Sequence, residues 1–315
     1  MIRRFAAVLL VALPLLAQLP KGTLWQDPGD IAKLDFSNTA GAAVGVPKAP
    51  FTFLREDTSG TQPKLFVRDA SGATWNVKFG NEVRVESFCW RVVRACGYFV
   101  EPSFFVQSGQ FQNMQQLKRP TPSVDAAGRF TDARFQYRDA NLTFLDKNWR
   151  WDRPPFGGTK ELSGLKLLIM LVGNWDNKDG SVGAAAGPNT AIFRLQRPKA
   201  APRYFYAFTD WGSGLGGRAP QRSDWRCSDF TSQPPLVKGR GPNGTVLFNY
   251  DGVLSKGFDR GIPRAHVAWL MEYLGRVSDA QLTAGLKAAG GSDADVACYA
   301  KALRARIEEM RAAAR

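Results

Sequence analysis

The feature that most constrains this chain is the run over residues 160–172, where Leu162, Leu165, Leu167, Leu168, Ile169, Met170, Leu171 and Val172 leave little polar surface. A helix apolar nearly all round belongs in the middle of a fold, because no face of it suits water. Thr159 stands where such a helix needs its N-cap. The run ends in Gly173-Asn174-Trp175-Asp176-Asn177-Lys178-Asp179, and a second polar corner follows at Thr209-Asp210-Trp211-Gly212. Between them lies a short strand pattern, Ala191-Ile192-Phe193-Arg194-Leu195. Asp176 and Asp210 thus each close a strongly apolar segment.

Little else in the composition offers chemistry. The 315 residues include 1 His and 4 Cys, without the spacing of a Cys/His metal site. A hydrophobic fraction of 44%, with 9 Trp and 21 Phe, is ample for one large domain or two lobes. The tryptophans stand mostly in apolar or strand patterns and read as core rather than as carbohydrate-stacking platforms. A net charge of +14 favours acidic partners. It is spread along the chain, so it points to no specific nucleic acid.

Met1-Ile2-Arg3-Arg4, the apolar residues 5–16 and the turn Gln18-Leu19-Pro20 read as a secretory signal, too short for a comfortable membrane span. The expectation is an exported protein, periplasmic or secreted, with a retained N-terminal anchor as the alternative. No later segment is long and apolar enough to cross a bilayer. In an exported chain cysteines can pair. Cys89 and Cys96 fall two turns apart on a predicted helix, roughly 10 Å along its axis, too far to bridge each other. They read as buried apolar groups, whereas Cys227, in a loop, is the best candidate for a bridge, its partner open.

Residues 20–50, rich in Gly, Pro and Ala, read as an arm. Strands are expected at 51–56, 64–69 and 74–79, joined by Asp57-Thr58-Ser59-Gly60-Thr61 and by a tight turn at Ser71-Gly72. In the third, Trp75, Val77 and Phe79 share one face while Asn76 and Lys78 share the other. A helix over 81–96 follows, closed by Gly97, with Glu82, Glu86, Cys89 and Val93 along one side. Residues 98–106 give a further strand pair or hinge. The stretch 107–155 is polar and proline-broken, with short strand candidates at 134–137 and 141–145. After Asp210 come a basic loop, a small strand at 246–250 and helices over 263–274, 279–289 and 293–311. Ser278 and Gln281 form a capping-box pattern at the second of these helices. The division is a signal at 1–19, an arm at 20–50, a first lobe at 51–107, an insertion or linker at 108–155 and a second lobe at 156–315.

Phosphoryl transfer needs cations against phosphates, held metal ions and a carboxylate that positions the attacking oxygen. The chain supplies candidates in order. Ser59, Gly60 and Thr61 make a small-residue turn able to cover phosphates with backbone N–H groups, although it is no full glycine-rich motif. Lys78 is the cation, and Glu86 is preferred to Glu82 as its helix partner because it lies further into the helix. Asp176 is the catalytic base, Lys178 the cation at the transferred phosphate and Asp210 a metal ligand. A second metal ligand five residues past the base would be Ser181. Asn189, which directly precedes the next strand, is the better candidate, with 180–188 as an inserted loop. Singly, each has a plainer reading. A strand lysine is usually solvated, and aspartate commonly forms turns or caps helices. Their joint order carries the weight. His266, beside Ala265, Val267 and Trp269, reads as structural.

The sequence resembles a group of bacterial kinase-like proteins related to the toxin kinases of toxin–antitoxin pairs and, more remotely, to phosphatidylinositol kinases. The resemblance rests on Lys78-Phe79-Gly80 with Glu82 and Glu86, on Ala95-Cys96-Gly97-Tyr98-Phe99-Val100, and on Pro155-Phe156-Gly157-Gly158-Thr159-Lys160-Glu161-Leu162. It continues through Asn174-Trp175-Asp176-Asn177-Lys178-Asp179 and Asp210-Trp211-Gly212 to Val277-Ser278-Asp279-Ala280-Gln281-Leu282 and Arg304-Ala305-Arg306-Ile307, spanning about residues 50–311. It implies an α+β, two-lobed protein-kinase-like fold: a small antiparallel-sheet lobe with one helix, and a larger, mainly helical lobe. ATP or another nucleotide, with Mg²⁺ or Mn²⁺, is implied at the cleft. The chain departs from the pattern at the displaced asparagine and at Trp211. The function implied is an exported phosphotransferase acting on a protein, lipid or sugar acceptor. The alternative is a non-catalytic kinase-like module binding an acidic partner at the cell envelope.

Overall fold

Strands β1 (Phe51–Asp57), β2 (Lys64–Arg68) and β3 (Thr74–Phe79) form where the alternation places them, and α1 (Val83–Ala95) follows. The computed structural model describes residues 19–315 except 59, 61, 146–147, 184–186 and 219–222, so the expected signal segment lies outside the described residues but for Leu19. β4 (Ser103–Gln112) and β5 (Arg129–Tyr137) then complete a closed barrel in the order β1-β2-β3-β5-β4. A parallel pairing of Phe51 with Phe111 and Thr52 with Gln112 closes it.

Where a small antiparallel sheet is expected, the five strands close into a barrel through one parallel pair, and the reason is aromatic. Phe111 stacks on Phe130 with ring centroids 4.4 Å apart, and Phe51 meets Phe135 at 4.7 Å. Closing the sheet buries these rings and removes strand edges together. Helix α1 lies against the barrel through Trp90 on Phe104, at 5.3 Å.

Two expected boundaries also move. The limit at 107 cuts through β4, and β5 falls inside the expected insertion yet pairs with both β3 and β4. Its Phe130, Ala133 and Phe135 are buried, while Arg134 and Gln136 line a cleft, so a structural strand carries a polar sequence. The expected arm at 20–50 is packed rather than tethered. Leu24, Ile31, Phe36 and Ala40 are buried, Thr23 bridges to Phe205, and Trp25 bridges to Tyr98. Arg91 donates to the carbonyls of Phe36 (2.7 Å) and Asn38 (3.3 Å), and Arg94 to those of Ala40 (3.0 Å) and Gly41 (2.7 Å). Two arginines of α1 thereby satisfy the main chain of an irregular segment.

The remaining elements are β6 (Leu142–Phe144), α2 (Lys160–Leu171), β7 (Thr190–Leu195), β8 (Arg203–Phe208), α3 (Cys227–Thr231), β9 (Val237–Arg240), β10 (Thr245–Phe248), β11 (Ile262–Pro263), α4 (Arg264–Leu274), α5 (Asp279–Ala288) and α6 (Asp293–Ala314). Thr159 caps α2 by accepting the Leu162 N–H at 3.2 Å. The helix is buried as expected and packs on α4 and α6. Gly164 permits the closest approach, since a Cβ there would stand 2.2 Å from the Tyr98 hydroxyl and 2.8 Å from the Trp269 ring. Ser278 and Gln281 do form a capping box. Cys227 bridges to Cys298, tying α3 to α6, while Cys89 and Cys96 are buried and unbridged. The fold is mixed α+β, and no helix among the described residues is long and apolar enough to cross a membrane.

Candidate active site

Two sets of residues meet across a cleft of about 650 Å³. On the barrel side, β3 and β5 pair Lys78 with Arg134 and Asn76 with Gln136, so all four residues line the cleft. Lys78 Nζ donates to Glu86 Oε1 at 2.6 Å and also to Glu82. The second oxygen of Glu86 is ion-paired with Arg134 Nε at 2.8 Å. Burial favours the neutral amine of Lys78, but the charges of Glu86, Asp210 and Glu82 outweigh it and hold the ammonium above its ordinary range. Burial likewise pushes Glu86 up, and Arg134 and Lys78 reverse this, leaving its carboxyl below the usual range.

On the opposite side, the chain leaves α2 at Gly173 (φ +63°) and is held by amide side chains. Asn174, with no exposed surface, accepts the Asp176 N–H at 3.0 Å and donates to the Asp210 carbonyl at 2.8 Å. One residue therefore sets both aspartates. Asn189 donates its amide to the Asp176 carbonyl at 2.6 Å and its backbone N–H to the Lys178 carbonyl at 2.9 Å. Asn177 clamps Leu254 in both directions. Lys178 Nζ lies 3.2 Å from Asp176 Oδ2, while Asp176 Oδ1 is buried without a hydrogen-bond partner. Gly212 lets the Asp210 corner seat on α1, because a Cβ there would come 2.7 Å from Glu82 Cβ.

The two sides join at a carboxylate triad. Ligand oxygens of Glu82, Glu86 and Asp210 all lie within 4.8 Å of one another. Burial drives the Asp210 carboxyl up to about 6; Lys78 opposes the rise, and Glu86 and Glu82 add to it. Clustered hard oxygens with one orphaned carboxylate oxygen nearby are the donor set that Mg²⁺ or Mn²⁺ takes, so the residues fit such an ion.

Lys78, Glu86, Asp176, Lys178, Asn189, Asp210 and Gly60 all line the cleft, whereas Ser59 and Thr61 lie outside the described residues. Ser181 instead hydrogen-bonds Asp179, at 2.9 Å through its N–H. His266 pairs with Ser163 Oγ at 2.9 Å. Sequence reasoning passed over Arg134 and Asn174 and ranked Glu82 second. It also missed Asp224, whose Oδ1 is buried without a partner. Burial, then the charges of Glu82 and Asp210, push the Asp224 carboxyl up to about 7. Arg134 is signalled by the alternation of β5; nothing in its neighbourhood signals Asp224.

A scan of family models and a search of curated proteins return no match. A solved structure of the Golgi casein kinase is similar over 83% of this chain and 74% of that chain, at 12% identity and a TM-score of 0.32. A likeness this weak decides neither fold nor activity, and the site itself has to.

Proposed function

We propose that the chain is a two-lobed, kinase-like phosphotransferase that takes a nucleoside triphosphate, ATP or another, with Mg²⁺ or Mn²⁺ in this cleft. One observation carries the reading: Lys78, Glu86, Asp176, Asn189 and Asp210, distant in sequence, converge on a single cleft from β3, α1 and three loop positions.

Lys78, oriented by Glu86, meets the phosphates as a cation. Asp210, with Glu82 and Glu86 beside it, offers carboxylate ligands to a divalent ion, and Asn189 offers an amide oxygen. When bound, such an ion neutralises charge on the transferred group. Asp176 takes the proton of an acceptor hydroxyl as that oxygen bonds to phosphorus and the bond to the leaving diphosphate breaks. Lys178 holds negative charge on the group in transit. The protein, lipid or sugar that carries the hydroxyl is left open. We place the activity outside the cytoplasm; the Cys227–Cys298 bridge suits an oxidising compartment and supports the export reading.

A second reading, a non-catalytic kinase-like module for an acidic partner, is favoured by Lys178 sitting on Asp176 at 3.2 Å, which occupies the base. Thermal unfolding separates the two. The mature chain gains stability with ATP plus Mg²⁺ or Mn²⁺, because a ligand confined to the folded state stabilises it, and Asp210→Ala abolishes the gain. Transfer of labelled γ-phosphate disappears in Asp176→Ala. No stabilisation by any nucleotide or metal overturns the phosphotransferase. Stabilisation without labelled product in the native chain assigns the non-catalytic module.

A further inference from the structure

The cleft has two chemically distinct ends. At the end of Lys78 and Asp210, a buried carboxylate oxygen of the cleft lacks a hydrogen-bond partner, Asp176 Oδ1. Arg138, four residues along from Arg134 and so roughly 13 Å away along the strand, shows the opposite deficit. Its Nε is a buried donor with no acceptor. Arg138 Nη1 donates to both oxygens of buried Glu101, at 2.6 and 2.8 Å, which fixes the guanidinium while 35% of the side chain stays exposed.

At this same end stands an unclaimed aromatic face. Phe144, at the end of β6, is 57% exposed, more than any other large apolar residue described. It is in register with Phe193 of β7, ring centroids 5.7 Å apart and nearly perpendicular. Phe193 is buried and backed by Phe99 at 5.1 Å, so Phe144 rests on a rigid support. Phe144, Phe193, Gln136, Glu101 and Arg138 all line the cleft. An aromatic face left to water, in a cleft that also holds hydrogen-bonding side chains, suits a planar heterocycle.

The geometry points to a base-binding end, in which Phe144 stacks on the nucleobase of the donor and Arg138, aimed by Glu101, donates to acceptors on the base edge. This rests on the nucleotide reading above and narrows it. A guanine edge, with two adjacent acceptors, fits an arginine better than the mixed edge of adenine. The step from Asn76 and Gln136 to Lys78 and Arg134, roughly 7 Å along the strands, leaves room for the ribose.

Calorimetry of the mature chain in Mn²⁺ with GTP, ATP and tripolyphosphate tests this. GTP binds at least tenfold more tightly than tripolyphosphate, about 1.4 kcal/mol, with ATP between them. Phe144→Ala, a change at an exposed position, brings ATP down to the tripolyphosphate value, narrows the advantage of GTP and leaves the tripolyphosphate value unchanged. Phe144→Trp keeps the nucleotide advantage. Arg138→Met removes the preference for GTP over ATP and spares the stacking advantage. Tripolyphosphate binding as tightly as the nucleotides overturns the base site while leaving the phosphate-binding reading intact. Phe144→Ala weakening all three ligands alike also overturns it, and ATP binding more tightly than GTP overturns the role of Arg138. Failure of all three to bind overturns both readings.

Discussion

The barrel side of the cleft and its loop side hold their charged groups by different means. Lys78, Glu86 and Arg134 sit on regular elements and fix one another by charge, with almost no exposure. Asp176 and Asp210 sit in loops, held through their main chains by Asn174 and Asn189. The difference teaches where function and stability overlap. On the barrel side the working groups are also part of the packing, whereas on the loop side the carboxylates are held in place without contributing to it.

The hardest test of that contrast is Glu86→Ala. It strands two buried cations and costs roughly 3–5 kcal/mol of stability in urea unfolding. A loss below about 1 kcal/mol would show that the cluster is not structural. Next comes Asn174→Ala, which leaves the Asp176 N–H and the Asp210 carbonyl without partners, at a cost of about 2 kcal/mol. It also removes Mn²⁺-dependent stabilisation with Asp210 still present. Retained metal binding would mean that Asn174 does not set Asp210. Smaller still is Asp176→Ala. Its carboxylate has one orphaned oxygen and a partly exposed lysine partner, so unfolding stays within about 1 kcal/mol of the native chain although label transfer is lost.

The same contrast explains what could be read from the sequence. β1, β2, β3 and α1 show their periodicity openly, and Lys78 and Glu86 follow from it. The buried helix α2 and its Thr159 cap are equally plain, as is Asn189 directly before β7. β5 is only half legible: a strand candidate at 134–137 marks its end, but Arg134 and Gln136 turn into a polar cleft rather than into water or core, so the rest of it reads as part of an insertion. The segment over 20–50 is concealed because its few anchors, Leu24, Ile31 and Phe36, are separated by Gly, Pro and Ala, and arginines on α1 rather than a ladder satisfy its backbone. Asp224 carries no local pattern at all. Only tertiary folding brings it within reach of the charges on Glu82 and Asp210.

Acidity gives the finest test of the contrast, because the two sides titrate in opposite senses. Burial raises the carboxyls of Asp210 to about 6 and Asp224 to about 7, from an ordinary value of 3.8. Between about pH 4 and pH 7 the folded chain therefore holds protons that the unfolded chain has released, and stability falls as pH rises. Glu86 acts the other way: its depressed carboxyl adds stability above the ordinary glutamate range, which is lost only as pH falls below it. Lys78, raised, adds stability that is full below its unfolded value and lost only in strong base. Glu86 opposes the decline only at its acid edge, near the ordinary value of 4.5, and His266, lowered by burial, opposes it just below the ordinary 6.5, while Lys78 does not titrate in the window. The melting temperature of the metal-free chain should decline gently from about pH 4 to pH 7. The decline should be weaker in Asp210→Asn/Asp224→Asn and weaker again in saturating Mn²⁺, which supplies the missing positive charge. A double variant with the same slope as the native chain would remove these two carboxylates from the cause, and with them the claim that the loop side is held against its own electrostatics.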